Sequence, residues 1–288
     1  MKKLLLLAVF GALVSGLQAQ NPFSGYQSDK TTGVATHEFS ASATVVNLTQ
    51  GARLDSLWIG KNGLSGVPED TLTATPTTRW NNLEIGFDFP FAGKTMKYYG
   101  LTAGGMVFFG EGDSLAPAVN INDQTATRAS DYALFQLKYF HSKVTNINWR
   151  AKPLTAGADA CVRYERVQDT LFIAYENLQG EDKNGDVLTI SFQYALDKNG
   201  KLSFRPVSIE PQQANTSSGD YYWAYSWGMV GQNGTYYRYL NNPDGTSKTT
   251  SQEKIALTQA SHPLAGESFN FYSPELCTAV ATPQVTWD

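Results

Sequence analysis

LTISFQYAL (residues 188–196), followed by DKNG (197–200) and KLSFRPVSI (201–209), is the stretch that decides the fold. Its large apolar residues recur at every second position with small or polar residues between them, and this period of two predicts a β-strand with one buried face. The Asn-Gly pair at 199–200 predicts a tight turn that leads into a second strand. We therefore expect an antiparallel hairpin whose buried face is formed by alternate residues, beginning with Leu188, Ile190, Phe192, Tyr194 and Leu196.

The same pattern extends outward over most of the chain. Alternation is clear in residues 83–91 and 221–230, and further hairpin turns are predicted at Gly104-Gly105, Gln168-Asp169 and Asn233-Gly234. Only residues 131–139 and 252–259 carry a pattern that could form a brief helix. Short strands joined by tight turns are typical of an antiparallel β-sandwich, such as a jelly roll. The prediction is an all-β sandwich that covers residues 20–273.

Composition excludes several classes of protein. The chain has 288 residues, of which 12% are aromatic and 17% are charged, so it has ample apolar surface to bury and is not a disordered protein. Lys and Arg number 22 against 26 Asp and Glu, giving a net charge of −4 and a pI near 5.4. This balance argues against a nucleic-acid partner.

The N-terminus predicts export. Lys2 and Lys3 precede an apolar run over residues 4–14, and small residues lead to a cleavage position after Ala19. This arrangement is typical of a signal peptide, here residues 1–19, and the run is too short to span a bilayer. No later stretch is long and apolar enough for a transmembrane segment. The expected location of the mature chain is the cell surface or the extracellular medium.

The two cysteines and the C-terminal tail leave alternatives open. Cys161 and Cys277 would reside in an oxidising compartment, where they either form a disulfide or remain as thiols. Residues 274–288 are interpreted as a linker and the start of a further strand. That strand, PQVTWD, is similar to the first strand of a fibronectin type III domain, which would need about 90 more residues. The alternative is that the tail pairs back onto the sandwich.

A wider resemblance covers about residues 83–230. IGFDFPFAG (85–93), LTAGGMVFFG (101–110) and the strands at 169–175, 190–196 and 200–204 resemble a module of bacterial surface proteins, and they are also similar to nidogen-like extracellular sandwiches. Such modules occur in secreted adhesins, many of them cargo of the type IX secretion system. The resemblance implies a nidogen-like sandwich fold and a role in adhesion.

Candidate binding residues cluster in the aromatic segment 221–239. If the odd-numbered residues Trp223, Tyr225 and Trp227 line the core, the even-numbered Tyr222 faces outward. An aromatic surface with hydroxyl groups can stack on sugar rings or anchor a protein. The expected partner is a glycan or an extracellular protein, and the candidate ligand-binding residues are Tyr222, Tyr236, Tyr237 and Tyr239.

Metal binding and catalysis are two further kinds of chemistry to weigh against these residues. Oxygen ligands in one loop, Glu181, Asp182, Asn184 and Asp186, could hold a Ca²⁺ ion, although an Asn-Gly turn with solvated charges explains the same residues. No Ser or Cys nucleophile motif is present, and the carboxylates have no spacing that selects a glycosidase pair. We therefore expect no catalytic residues. A non-covalent adhesion module is the leading hypothesis, followed by a structural spacer of the cell surface and, third, a glycan hydrolase.

Overall fold

The structure is a computed structural model that describes residues 21–54, 57–61, 63–66, 80–112, 114–115, 131–141, 154–181, 187–209, 221–231, 237–240, 244–248, 255–256 and 262–274. Every element assigned in these ranges is a β-strand, which confirms the all-β fold. The strands are β1 Gln27–Thr32, β2 Thr44–Asn47, β3 Leu57–Gly60, β4 Gly63–Gly66, β5 Trp80–Asn81, β6 Leu83–Phe91, β7 Lys94–Thr102, β8 Met106–Gly110, β9 Ser114–Leu115, β10 Asp131–His141, β11 Thr155–Val167, β12 Thr170–Glu181, β13 Val187–Asp197, β14 Lys201–Ile209, β15 Tyr221–Val230, β16 Tyr237–Leu240, β17 Ser247–Lys248, β18 Ile255–Ala256 and β19 Glu267–Tyr272.

Most strands belong to two antiparallel sheets. A seven-stranded sheet has the order β1-β19-β14-β13-β12-β11-β2, and a ten-stranded sheet has the main order β17-β16-β15-β10-β8-β7-β3-β4. Strands β6 and β18 pair with β7 and β15 of the second sheet, while β5 and β9 pair with each other. Each predicted hairpin that falls in the described ranges joins neighbouring antiparallel strands, namely β7–β8, β11–β12 and β13–β14.

The hydrophobic core lies between the two sheets. From the seven-stranded sheet, Tyr194 and Phe204 contact Trp227 of the ten-stranded sheet, with ring centroids 5.3 and 5.4 Å apart. The hydroxyl groups of Tyr175 and Tyr194 donate hydrogen bonds to the carbonyl oxygens of Met106 and Gly105, at 3.3 and 2.6 Å. Buried tyrosines thus hydrogen-bond across the core at the turn between β7 and β8. The two facing sheets form a sandwich-like fold.

One connection crosses the outside of the seven-stranded sheet. Strands β1 and β2 are consecutive in sequence but lie at opposite edges of this sheet. Six strand spacings amount to about 29 Å, and residues 33–43 can span about 36 Å when fully extended. Residues 33–40 must therefore run nearly straight across the sheet, before a turn in which the Ala43 N–H donates to the Ser40 carbonyl oxygen at 3.1 Å. We call residues 33–43 the strap.

One local expectation was wrong. Residues 131–139 carry residues that favour helices, yet they belong to strand β10, which pairs with β8 on one side and β15 on the other. Pairing on both sides outweighs the weak intrinsic helix preference of Leu, Ala and Gln. Residues 255–256 of the second candidate helix form the short strand β18, and the rest of 252–259 lies outside the described residues.

Several predictions fall on segments that the structure does not describe. These are the signal peptide at 1–19 and the fibronectin-like tail from residue 275 onward. Within the described ranges, no helix has the length and apolarity that crossing a membrane would require.

Candidate binding surfaces

The aromatic segment divides between the core and the outer face of the ten-stranded sheet. Tyr225 and Trp227 are buried in the core between the sheets, as the alternation predicted. Met229 follows on the same face and is also buried there. Because successive strand residues point to opposite faces, the even-numbered positions of β15 belong to the outer face.

Tyr237 and Tyr239 occupy neighbouring positions on that outer face. In the register of β15 and β16, Tyr237 lies opposite Val230 and Tyr239 lies opposite Gly228. Directly opposed residues of an antiparallel pair share a face, so both tyrosines take outer-face positions about 7 Å apart. Gly228 contributes no side chain beside Tyr239.

Tyr222 lies on β15, far from the two tyrosines of β16. It is opposite Phe140 of β10 and six residues from Gly228, a distance of about 20 Å along the strand. The structure therefore brings Tyr237 and Tyr239 together and separates Tyr222 from them. Tyr236 and the side chains of the other three candidate tyrosines lie outside what the structure describes.

The outer face continues as an apolar row beside Tyr237. Val230 is opposite Tyr132 of β10, which in turn is opposite Phe108 of β8. Val230 and Phe108 are both buried, and the Phe108 ring lies 5.0 Å from that of Trp58. This second apolar cluster adjoins the tyrosine pair but is separate from the core between the sheets.

The predicted calcium loop is described only at its first residue. Glu181 is exposed at the end of β12, whereas Asp182, Asn184 and Asp186 lie outside the described residues. Among the residues that are described, no group of three or more His, Cys, Asp or Glu side chains could hold a metal ion. The calcium site stays a prediction.

Cys161 is a buried thiol on β11. Its Sγ donates a hydrogen bond to Glu176 Oε2 at 3.2 Å, and Arg163 Nε donates to the same oxygen at 3.1 Å. Burial, together with the neighbouring Glu176 carboxylate, raises the pKa of this thiol to about 11. Cys277 lies outside the described residues, so the disulfide also stays a prediction.

The structure also reveals a polar cluster that the sequence did not indicate, where the strap crosses the seven-stranded sheet. His37 Nε2 donates to Glu165 Oε1 at 2.7 Å, since a carboxylate only accepts. The Ser40 backbone N–H donates to the same oxygen at 2.9 Å, and the Ser40 hydroxyl donates to Oε2 at 2.6 Å. These bonds hold the pKa of the Glu165 carboxyl below its usual value, with the Ser40 hydroxyl contributing most.

This cluster has the residue types of a catalytic triad but not its connectivity. In a triad, the imidazole lies between the nucleophile and the carboxylate, so that it can take the hydroxyl proton. Here Ser40 and His37 each bond directly to Glu165, and the Ser40 hydroxyl donates to the carboxylate rather than to the ring. The arrangement fixes the strap and does not activate the hydroxyl. No sequence signal could have found it, because His37 and Glu165 are 128 positions apart.

Comparison of the chain with models of known protein families, with curated proteins and with solved structures found no match. The fold defines an all-β protein built from two facing antiparallel sheets.

Proposed function

We propose that the protein is an exported, surface-associated adhesion module that recognises a glycan or an extracellular protein by non-covalent contacts. The observation that carries the proposal is that Tyr237 and Tyr239 take successive same-face positions on β16, opposite the outer-face residues Val230 and Gly228 of β15. Tyrosine combines an apolar ring with a hydroxyl group, which suits both sugar rings and protein surfaces. The competing function, a structural spacer, requires no such pair.

The low charge of the chain supports recognition through aromatic contacts. The whole chain is only 17% charged, and the neighbouring Val230 and Phe108 are apolar but buried, so the proposal assigns the ligand contacts to the tyrosines. Affinity at such a surface would come from a few aromatic anchors rather than from charge. The basic N-terminal segment, read as a signal peptide, supports export.

The test is binding of the purified protein to an array of glycans and extracellular matrix proteins. We expect at least one class to bind, and we expect the double variant Tyr237→Ala/Tyr239→Ala to lose affinity by about tenfold or more. The stability of the variant should change little, because neither position belongs to the core between the sheets. Thermal unfolding of both proteins checks this.

Tyr98→Ala is the matched control. Tyr98 lies on β7, opposite Gly110 and next to the buried Tyr99, so it belongs to the outer face of the same sheet. Four strand spacings, about 19 Å, separate β7 from β16. Tyr98→Ala should bind like the unchanged protein. If the protein binds no ligand class on the array, adhesion is refuted and the spacer is favoured. If Tyr98→Ala and the double variant lose the same affinity, the location of the binding site on β16 is refuted.

A further inference from the structure

The strap contacts the seven-stranded sheet as a bound peptide would. The Gln193 side chain on β13 forms two hydrogen bonds with the backbone of His37: the N–H donates to Oε1 and Nε2 donates to the carbonyl oxygen, both at 2.9 Å. An amide side chain thus replaces the neighbouring strand that an extended segment would otherwise pair with. The His37 ring stacks on Phe172 of β12, with centroids 3.9 Å apart and planes at 10°.

The strap is also held at its two ends. Near its start, the Val34 N–H donates to the carbonyl oxygen of Gly266 at 2.9 Å. Near its end, Ser40 donates twice to Glu165 on β11. Three successive points of the extended segment thus contact the residue before β19, strand β13 and strand β11.

The strap lies on the surface of the sheet rather than within it. None of residues 33–43 is buried, and even the His37 side chain retains 17% of its accessible surface. Segments with little buried apolar surface open at a low free-energy cost while the rest of the protein stays folded. We therefore expect the strap to open more readily than the sheet beneath it.

The Nε–H of Arg205 is a hydrogen-bond donor on this face that the strap does not satisfy. Arg205 lies on β14 opposite Gln193, and its guanidinium is 5.7 Å from the Phe172 ring centroid. Within the described part of the chain, its buried Nε has no hydrogen-bond partner. Burial lowers the pKa of Arg205, as expected for a cation that is only partly compensated. A carboxylate at this position would satisfy both the charge and the donor.

The position of that carboxylate follows from the geometry of the strap. The strap runs from β1 towards β2, and β14 precedes β13 in this direction. Strands are about 4.8 Å apart and an extended chain rises about 3.3 Å per residue, so one strand corresponds to one or two residues. With His37 over β13, the residue over β14 is Ala35 or Thr36. Neither carries a carboxylate.

We propose that the outer face of the seven-stranded sheet is a peptide-binding surface, that the strap occupies it within the same chain, and that its partner is an extended polypeptide segment with an acidic side chain one or two positions before the residue held by Gln193. The acidic side chain pairs with Arg205, and the backbone of the following residue takes the place of His37 on the Gln193 amide. This surface is on the opposite sheet from the tyrosine pair, so it is independent of the adhesion proposal.

The test uses fluorescently labelled peptides that copy strap residues 34–43, two acidic ones with Ala35→Asp or Thr36→Asp and two matched neutral ones with Ala35→Asn or Thr36→Asn. The Asp peptide that binds more tightly is compared with the Asn peptide changed at the same position. The receptors are the unchanged protein and the variant His37→Ala, whose strap has lost its ring contacts. Anisotropy should show that the Asp peptide binds His37→Ala about tenfold more tightly than the unchanged protein, because the strap competes less. The Asp peptide should also bind more tightly than the Asn peptide.

Arg205→Gln in the His37→Ala background is the decisive control, because it should remove the advantage of the Asp peptide. If this advantage persists without Arg205, or if the Asp peptide does not bind His37→Ala at about 1 mM, the proposal is wrong. Equal binding to the unchanged protein and His37→Ala would also contradict it. Circular dichroism verifies folding, and Ser40→Ala, which weakens the other end of the strap, replaces His37→Ala if that variant does not fold.

Discussion

The two faces of the seven-stranded sheet are stabilised in different ways. The inner face of β13 presents a continuous buried apolar row, which includes Phe192 and Tyr194. The outer face buries polar groups instead, among them Gln193, Ser203 and Asn270, and these are hydrogen-bonded. The inner face is held by the removal of apolar area from water, whereas the outer face depends on specific donors and acceptors. Substitutions on the inner face should therefore lower the free energy of unfolding the most.

The largest effect is expected where the inner face meets the opposite sheet. Trp227 contacts Tyr194, Phe204 and Phe271. Trp227→Ala leaves a cavity among these rings and should lower the free energy of unfolding by about 3–5 kcal/mol. Urea unfolding measures the loss.

Trp227→Phe is the matched control for that cavity. It keeps most ring contacts and removes an indole N–H that has no partner among the described residues. The expected cost is about 1–2 kcal/mol. Equal losses for the Ala and Phe variants would show that filling the core is not what stabilises the inner face.

A smaller effect is expected on the outer face at Asn270. Its Oδ1 accepts hydrogen bonds from Ser203 and Ser268, both at 2.8 Å, and its Nδ2 donates to Asp29 Oδ1 at 2.7 Å. Asn270→Ala leaves the two buried hydroxyl groups without their acceptor and should cost about 2–3 kcal/mol in urea unfolding.

The double variant Asn270→Ala/Ser203→Ala tests whether the hydrogen bonds cause this loss. If they do, the double variant loses less than the sum of the two single variants, since Ser203→Ala removes one of the stranded hydroxyl groups. Strict additivity would contradict the network.

The smallest effect is expected at the strap. Glu165→Gln keeps the shape of the side chain but removes the charge that accepts three hydrogen bonds, so it should cost about 1 kcal/mol at pH 7. The lowered pKa of Glu165 sets the pH dependence. The stabilisation is complete above the pKa of an unfolded glutamate, about 4.3, and is lost as the pH falls through the lower pKa of the folded state.

Unfolding of both proteins between pH 7 and pH 3 checks this dependence. The difference in stability between the unchanged protein and Glu165→Gln should shrink as the pH falls. A difference that stays constant, or grows, in acid would mean that the charge of Glu165 does not hold the strap.

The inner face was predictable from the sequence, while the outer face was not. Alternation at 188–196 and the Asn-Gly turn at 199–200 identified the β13–β14 hairpin, because apolar burial and turn chemistry are local signals. The contacts of His37 with Gln193 and Glu165 depend on which strands lie beneath the strap. Strand order is set by the whole topology, which a period of two does not encode.

The aromatic candidate site was likewise predictable only where local alternation decides the structure. Alternation correctly placed Tyr225 and Trp227 in the core. Whether Tyr222 lies near Tyr237 depends on the register of β15 and β16, and in the described part of the chain β16 meets β15 at residues 228–230. Even pairing over the whole length of β15 would leave Tyr237 opposite Val230, eight residues from Tyr222.

Native-state hydrogen exchange tests most directly whether the strap is a removable layer over a permanent sheet. The backbone N–H groups of Val34, His37 and Ser40 are all hydrogen-bonded, as are those within β13. The strap amides should exchange through local opening, at least about 100-fold faster than the amides of Phe192 and Tyr194, which should exchange only on global unfolding. Equal exchange rates in the two groups would show that the strap and the sheet open as one unit, and would contradict the account.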